Sequence, residues 1–218
     1  FTEKFLIHMS VPVLLMIMGY ASYQISNQID KHVKVLVKSD ALARAEFYKK
    51  TIISIVLLIY PGLTVRIFQM FKCHDIQINT KKIISVLHQD FNIICYETEH
   101  TIYVTIAIAF LFLFVFGIPM MILIVLKSNK DALYNIKNKN HETVLKEYGS
   151  LYAQYEPEFY WWELIVILEK AALTGGMVMV SPGTSLQVLT AIVIVLIYFG
   201  TVLRFAPYRE DIDDNLSS

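Results

Sequence analysis

Residues 159–205 read FYWWELIVILEKAALTGGMVMVSPGTSLQVLTAIVIVLIYFGTVLRF. Two apolar runs, each within the roughly 17–25 residues that a membrane-spanning helix needs, are separated only by Ser181-Pro182-Gly183, a turn without charge. Pro and Gly end the first run and reverse the chain. The pair therefore reads as an antiparallel hairpin of membrane helices. Working outward, three earlier runs have similar length, giving about five spans at 5–25, 51–71, 102–126, 159–180 and 184–205.

The bulk composition agrees. The chain has 218 residues, 56% hydrophobic and 17% charged, with a mean hydropathy of +0.51. Its apolar residues come in blocks rather than amphipathic stripes, as in polytopic membrane proteins. The expected fold is all-α, a polytopic transmembrane helix bundle, with residues 1–218 forming one transmembrane region. A start at Phe1 and an end at Asn215-Leu216-Ser217-Ser218 read as a stretch of a longer polypeptide.

Lys and Arg number 19, as do Asp and Glu. Without a basic field, nucleic acid is not an expected partner. No GxSxG, HExxH, Walker A or dinucleotide fingerprint occurs, so neither an enzyme nor a cofactor is expected. His74 beside Cys73 and Asp75 comes nearest to a metal cluster, but its spacing does not support one, and no metal site is assigned.

Alternation of the spans puts the links at about 26–50 and 127–158 and the tail after the fifth span on one side of the membrane. That side carries Lys31, Lys34, Lys38, Arg44, Lys49, Lys50, Lys127, Lys130, Lys137, Lys139, Lys146 and Arg209. The other side carries Lys4, Lys72, Lys81 and Lys82. The imbalance places the first side in the cytoplasm and the loop at about 72–101, between the second and third spans, outside. Both cysteines, Cys73 and Cys95, lie in that loop. An oxidising compartment permits a disulfide between them; the alternative is two unpaired thiols.

Ionisable groups inside apolar spans are costly and face protein or water. Arg66, Glu163, Glu169 and Lys170 are the candidates for an ionic or gating role. Glu163 and Lys170 are seven apart and share a helical face, whereas Glu169 points about 100° away from Lys170. An ion pair between Arg66 and Glu169 is one outcome; an ion pathway, or snorkelling of Arg66 to the interface, are the others. No span repeats Lys or Arg at every third position, which disfavours a voltage sensor. Pro12, Pro61 with Gly62, and Gly117 with Pro119 are candidate kinks in the first three spans, and Gly175-Gly176 reads as a close helix contact.

Tyr152, Tyr155, Phe159, Tyr160, Trp161 and Trp162 precede the fourth span at a density that marks an interfacial belt. Residues 29–48 mix apolar and charged positions and read as a helix lying on the cytoplasmic face or extending a span.

Six strings follow one another in a recognisable order: YPGLTVRIFQMFKCHDI (60–76), DFNIICYETEH (90–100), FGIPMMILIVL (116–126), LYAQYEPEFYWWELIVILEKAALTG (151–175), SPGTSLQ (181–187) and RFAPYREDIDDNL (204–216). The order resembles the C-terminal multi-span region of large protist and algal surface proteins with cysteine-rich, ephrin-receptor-like ectodomain repeats. That region is itself similar to TRP and polycystin-like channels. Its most specific carriers are Cys73 with Cys95, Gly117-Ile118-Pro119, the PEFYWWE string, and Pro207-Tyr208 with Asn215; Ala206 stands where a basic residue is usual. The resemblance implies the membrane-embedded part of a cation channel or mechanosensory surface protein, in a plasma or ciliary membrane. Lipid and protein partners in a larger assembly or oligomer would surround it. The competing implication is a non-conducting anchor for an adhesive or filament-associated ectodomain. A secondary transporter is disfavoured, because no repeat with matched broken helices is visible.

Overall fold

A computed structural model describes residues 2–32, 38–79, 82–180 and 183–209. Two long helices open the chain, α1 (Thr2–His32) and α2 (Lys38–Gln69), followed by strands β1 (Cys73–Asn79), β2 (Lys82–Leu87) and β3 (Asp90–Ile94). A second helical column consists of α3 (Thr98–Phe110), a π segment (Leu111–Phe116) and α4 (Gly117–Ser128). Short helices α5 (Lys130–Leu133) and α6 (His141–Tyr152) lead through a 3-10 turn (Pro157–Phe159) into a third column. It comprises α7 (Glu163–Ala171), a second π segment (Ala172–Gly176) and α8 (Met177–Met179), and α9 (Ser185–Phe205) follows it.

Among the described residues, three helices are long and apolar enough to cross a membrane: Phe47–Gln69 within α2, Thr98–Ser128, and α9. At 1.5 Å per residue, the 21 residues of α9 reach about 31 Å, the thickness of a hydrocarbon core. The other two expected spans do not stand on the same footing. Residues 5–25 fall within α1, where the apolar stretch among the described residues is Lys4–Leu14. Residues 159–180 begin with a 3-10 turn, and their helix is divided into pieces of nine, five and three residues, about 25 Å in all. This column packs on α2 along its length, so protein rather than lipid covers one side of it, and it can carry Glu163, Glu169 and Lys170.

Helix α2 is the hub, with neighbours in α1, α3, both π segments, α6, α7 and α8. Tyr60, Leu63, Ile67 and Met70 of α2 are buried in the core together with Phe5, Met9, Phe114, Ile122, Leu126 and Ile167. By contrast α9 has no buried residue and touches mainly α7, α8 and the second π segment. Pro12 and Pro61 lie inside unbroken helices; a proline removes one backbone bond without ending a helix when neighbours hold the freed carbonyl. Residues 33–37 of the expected surface helix, and Ser181-Pro182 of the hairpin turn, lie outside the described residues. Beside that turn, Gly183 takes φ +73°, a conformation open to glycine. Its N–H donates to Gln187 Oε1 at 3.0 Å.

The loop expected at 72–101 is corrected: it holds a three-stranded antiparallel sheet in the order β1-β2-β3, so the chain is mostly helical rather than all-α. The reason is local. Ile83-Ile84-Ser85-Val86 and Phe91-Asn92-Ile93-Ile94 are β-branched and aromatic runs that favour strands, and His88-Gln89 turns the chain between them. Cys73 pairs with Leu87 and Asp75 with Ser85, and the Ser85 hydroxyl donates to the Asp75 carboxylate. Val86, Leu87 and Ile93 of the sheet are buried, Leu87 and Ile93 as part of the main core.

Candidate functional site

The irregular features of three helical columns meet around Pro61, in the last third of α2. Pro61 cannot donate a backbone bond, and the residues on either side of it reach out to the neighbours. The Tyr60 hydroxyl donates to the carbonyl of Val115 at 3.0 Å, inside the first π segment, where helical bonding is already displaced by one residue. Thr64 donates its hydroxyl back to the Tyr60 carbonyl at 2.8 Å. On its other side Thr64 abuts Gly175 of the second π segment: a Cβ placed on Gly175 would lie 2.7 Å from Phe68 Cδ2 and 3.1 Å from the carbonyl carbon of Thr64. A glycine is required there because the helices approach to backbone contact. Gly176 has no such constraint, with the nearest atom to its virtual Cβ 3.9 Å away. Gly62 has nothing within 4 Å and Gly117 meets only the Phe112 carbonyl of the same column, so neither glycine serves a close approach between columns.

Each intramembrane charge has a different environment. Arg66 donates to Gln69 Oε1 at 3.3 Å, and among the described residues no ion pair joins it to Glu169. Glu169 is half-buried and Lys170 exposed. Only Glu163 is drawn into the core, at 7% exposure. Its Oε2 accepts from the Tyr155 hydroxyl at 2.7 Å and from Gln154 Nε2 at 3.3 Å. Burial and the neighbouring carboxylate push the Tyr155 phenol well above its ordinary range, which keeps its proton available for donation.

At the end of α2 near the sheet, Cys73 and Cys95 form a disulfide with Cα atoms 6.4 Å apart. His100 is buried against it, Nε2 lying 4.0 and 3.9 Å from the two sulfurs. The Tyr96 N–H donates to Nδ1 at 3.3 Å. In a neutral ring that assigns the proton to Nε2, which then donates to the Met70 carbonyl at 3.2 Å. Cys73, Cys95 and His100 have the proximity of a metal cluster, but a disulfide leaves no thiolate to ligate. His74 instead packs edge-on against His88 at 6.2 Å. Lys72 donates to the Met179 carbonyl at 2.9 Å, tying the end of α2 to α8.

The opposite end is held by contacts that neither composition nor hydropathy foretells. Lys49 of α2 bonds Glu147 of α6 at 2.6 Å, with the Glu147 side chain nearly buried. Half of the aromatic string is buried rather than exposed as a belt: Tyr152, Tyr155 and Trp162, with Tyr152 packed on Tyr134, Tyr155 against Tyr208 and Trp162 against Phe205 at the end of α9. Ala206 adopts φ 42°, ψ 58° and turns the backbone. Pro207 then accepts from the Glu156 N–H at 2.8 Å, and the Arg209 N–H donates to the Gln154 carbonyl at 3.0 Å. Tyr155 and Tyr208 pair as an antiparallel bridge. The APYR and YEPEF strings are thus the two edges of one strap, which holds Gln154 and Tyr155 against Glu163.

The family model for the transient receptor potential (TRP) ion channel matches residues 5–215, a range that includes all three columns, the sheet and the strap. The chain belongs to the TRP ion channel family. No curated protein and no solved structure gives a match. Family and apolar helices together make it an integral membrane protein. In this TRP-family chain, the geometry offers no reaction centre among the described residues. It shows one helix, α2, tied through Lys49 to α6, through Tyr60 to the first π segment and, just past its end, through Lys72 to α8, and one buried carboxylate clamped by the strap.

Proposed function

We propose that the chain is the membrane-embedded helix bundle of a cation channel responsive to membrane tension. It crosses the bilayer about five times, with the disulfide-bonded sheet outside and the links at 26–50 and 127–158 and the strap in the cytoplasm. The observation that carries the reading is the TRP family match over residues 5–215. The distribution of Lys and Arg supports the orientation, and a disulfide fits an extracytoplasmic sheet. Force on the strap or sheet would reach α2 through Tyr155–Glu163 at one end and Lys72–Met179 at the other. An oligomer in the plasma or ciliary membrane completes the proposal, and the resemblance to surface proteins with cysteine-rich ectodomains supplies the source of force.

Currents from the full-length protein in proteoliposomes test it, with wild type and Glu163→Gln compared at matched incorporation under voltage and stretch. A cation current whose activation threshold moves in the variant is the expected result. Silence of correctly folded wild type under both stimuli overturns it and leaves the anchor reading. One observation favours that reading: Glu163 Oε2 takes its bonds from two residues of the strap, Tyr155 and Gln154, as a static scaffold requires.

A further inference from the structure

A disulfide in a folded protein is usually walled by apolar groups, but the Cys73–Cys95 pair has a proton donor aimed at it. His100 is 4% exposed, and its Nε2 lies 4.0 Å from Cys73 Sγ and 3.9 Å from Cys95 Sγ. Tyr96 decides which nitrogen of the ring carries the proton. Its backbone takes φ 70°, uncommon for a bulky aromatic residue, and turns the chain so that its N–H donates to His100 Nδ1. With Nδ1 accepting, Nε2–H is the donor of the neutral ring. It is held by the Met70 carbonyl at 3.2 Å, and the sulfurs, weak acceptors while they are bonded to each other, lie just beyond.

The two sulfurs differ in access. Cys95 is 4% exposed and belongs to the core, whereas Cys73 is half-buried at the start of β1, next to the exposed His74. Thiol–disulfide exchange is an attack by a thiolate on one sulfur that expels the other, and access selects the sulfur attacked. An attack on Cys73 from outside drives the Cys95 sulfur inward, where His100 waits. An attack on Cys95 would first require the core to open.

We propose that Cys73 is a modification site for small thiols, and that His100 receives the departing Cys95 thiolate. The sulfur of the incoming thiolate bonds to Cys73 Sγ as the Cys73–Cys95 bond breaks, and the electron pair of the broken bond stays on Cys95 Sγ. The small thiol is oxidised into the mixed disulfide and Cys95 is reduced; one negative charge stands on each side of the exchange. His100 Nε2–H then turns from the Met70 carbonyl to the Cys95 thiolate, because an ionised acceptor binds it more strongly. No proton leaves the ring. A thiolate stabilised in this way departs faster and attacks more slowly, so His100 eases opening and delays reclosure. Opening also releases the bond by which the first turn of α3 holds the Met70 carbonyl just past α2. The exchange is independent of whether the protein conducts.

The test incubates full-length protein in detergent with reduced glutathione, stops the exchange with an alkylating agent and maps both cysteines by mass spectrometry. Glutathione on Cys73 with alkylated Cys95 is expected in about tenfold excess over the reverse arrangement. A hydrogen bond to a charged acceptor corresponds to about tenfold in an equilibrium. His100→Phe should therefore lower the open fraction at fixed glutathione by about that factor and slow opening about threefold, the rest of the effect being faster reclosure. His100→Gln, which keeps a donor N–H at similar reach, should open within about twofold of wild type. A His100 that merely packs over the pair predicts the opposite sign, since its loss would loosen the cover of Cys95 and speed opening. Thermal unfolding identifies folded variants, and the choice between Cys73 and Cys95 is read on wild type whether or not His100→Phe folds. An adduct chiefly on Cys95, no adduct on folded wild type, or opening unchanged or faster in folded His100→Phe would each overturn the assignment.

Discussion

Replacing Gly175 by alanine should separate two helices that now touch. The added methyl would lie 2.7 Å from Phe68 Cδ2 and 3.1 Å from the Thr64 carbonyl carbon, whereas unstrained carbon contacts lie at about 3.5–4.0 Å. The phenyl ring can swing away, but the Thr64 backbone cannot, so the second π segment and α2 must part by several tenths of an ångström. Thr64 is fully buried, and opening this seam disturbs its bond to Tyr60 as well. Overpacking of this kind costs about 1–3 kcal/mol, equivalent to about 2–12 °C in midpoint for a chain of this size. Gly176→Ala is the matched control. Its methyl would meet nothing closer than 3.9 Å, and the change should be neutral or slightly stabilising, as alanine is the better helix former. Thermal unfolding in detergent, followed by Trp161 and Trp162 fluorescence, reads both. Thr64→Ser removes the branching methyl and should restore part of the loss in Gly175→Ala but none in Gly176→Ala. Equal midpoints for Gly175→Ala and Gly176→Ala would refute the close-packing argument.

Other contacts make separate predictions. Reducing the Cys73–Cys95 disulfide, or replacing both residues with serine, should destabilise the sheet by about 3 kcal/mol for a loop of 22 residues, seen as faster hydrogen exchange in β2 and β3 with α9 unchanged. Lys49→Met should destabilise more than Lys49→Met with Glu147→Leu, because the single change leaves a nearly buried carboxylate without its cation; a double-mutant cycle of midpoints measures the difference. Burial pushes the Tyr134 phenol up to about 12, above its unfolded value near 10. Its neutral form therefore stabilises the fold fully below pH 10, and that contribution is lost as pH rises toward 12. Alkaline unfolding curves should fall more steeply over that window for wild type than for Tyr134→Phe, which lacks the titrating proton and its bonds to the Tyr152 and Tyr155 carbonyls.

Hydropathy and charge carry the membrane class, the candidate spans in α2, in residues 98–128 and in α9, and the proposed orientation, because the bilayer acts on each segment through its own composition. Gly175 as a close contact was legible too, since small residues between apolar neighbours serve few other purposes. The sheet was not read from the sequence: its β-branched runs on either side of His88-Gln89 are short and embedded in a polar link, where hydropathy is silent.

Residue pairs distant in sequence required the tertiary structure. Tyr60 with Val115, Lys49 with Glu147 and Gln154 with Arg209 are separated by 55 to 98 positions, and no local periodicity encodes which group meets which. The same holds for the four charges. Sequence marks Arg66, Glu163, Glu169 and Lys170 alike as costly, yet packing buries Glu163 beneath the strap, gives Arg66 to Gln69 and leaves Lys170 exposed. Composition determines the solvent for which a chain is written; which polar groups escape that solvent depends on the neighbours that folding brings to them.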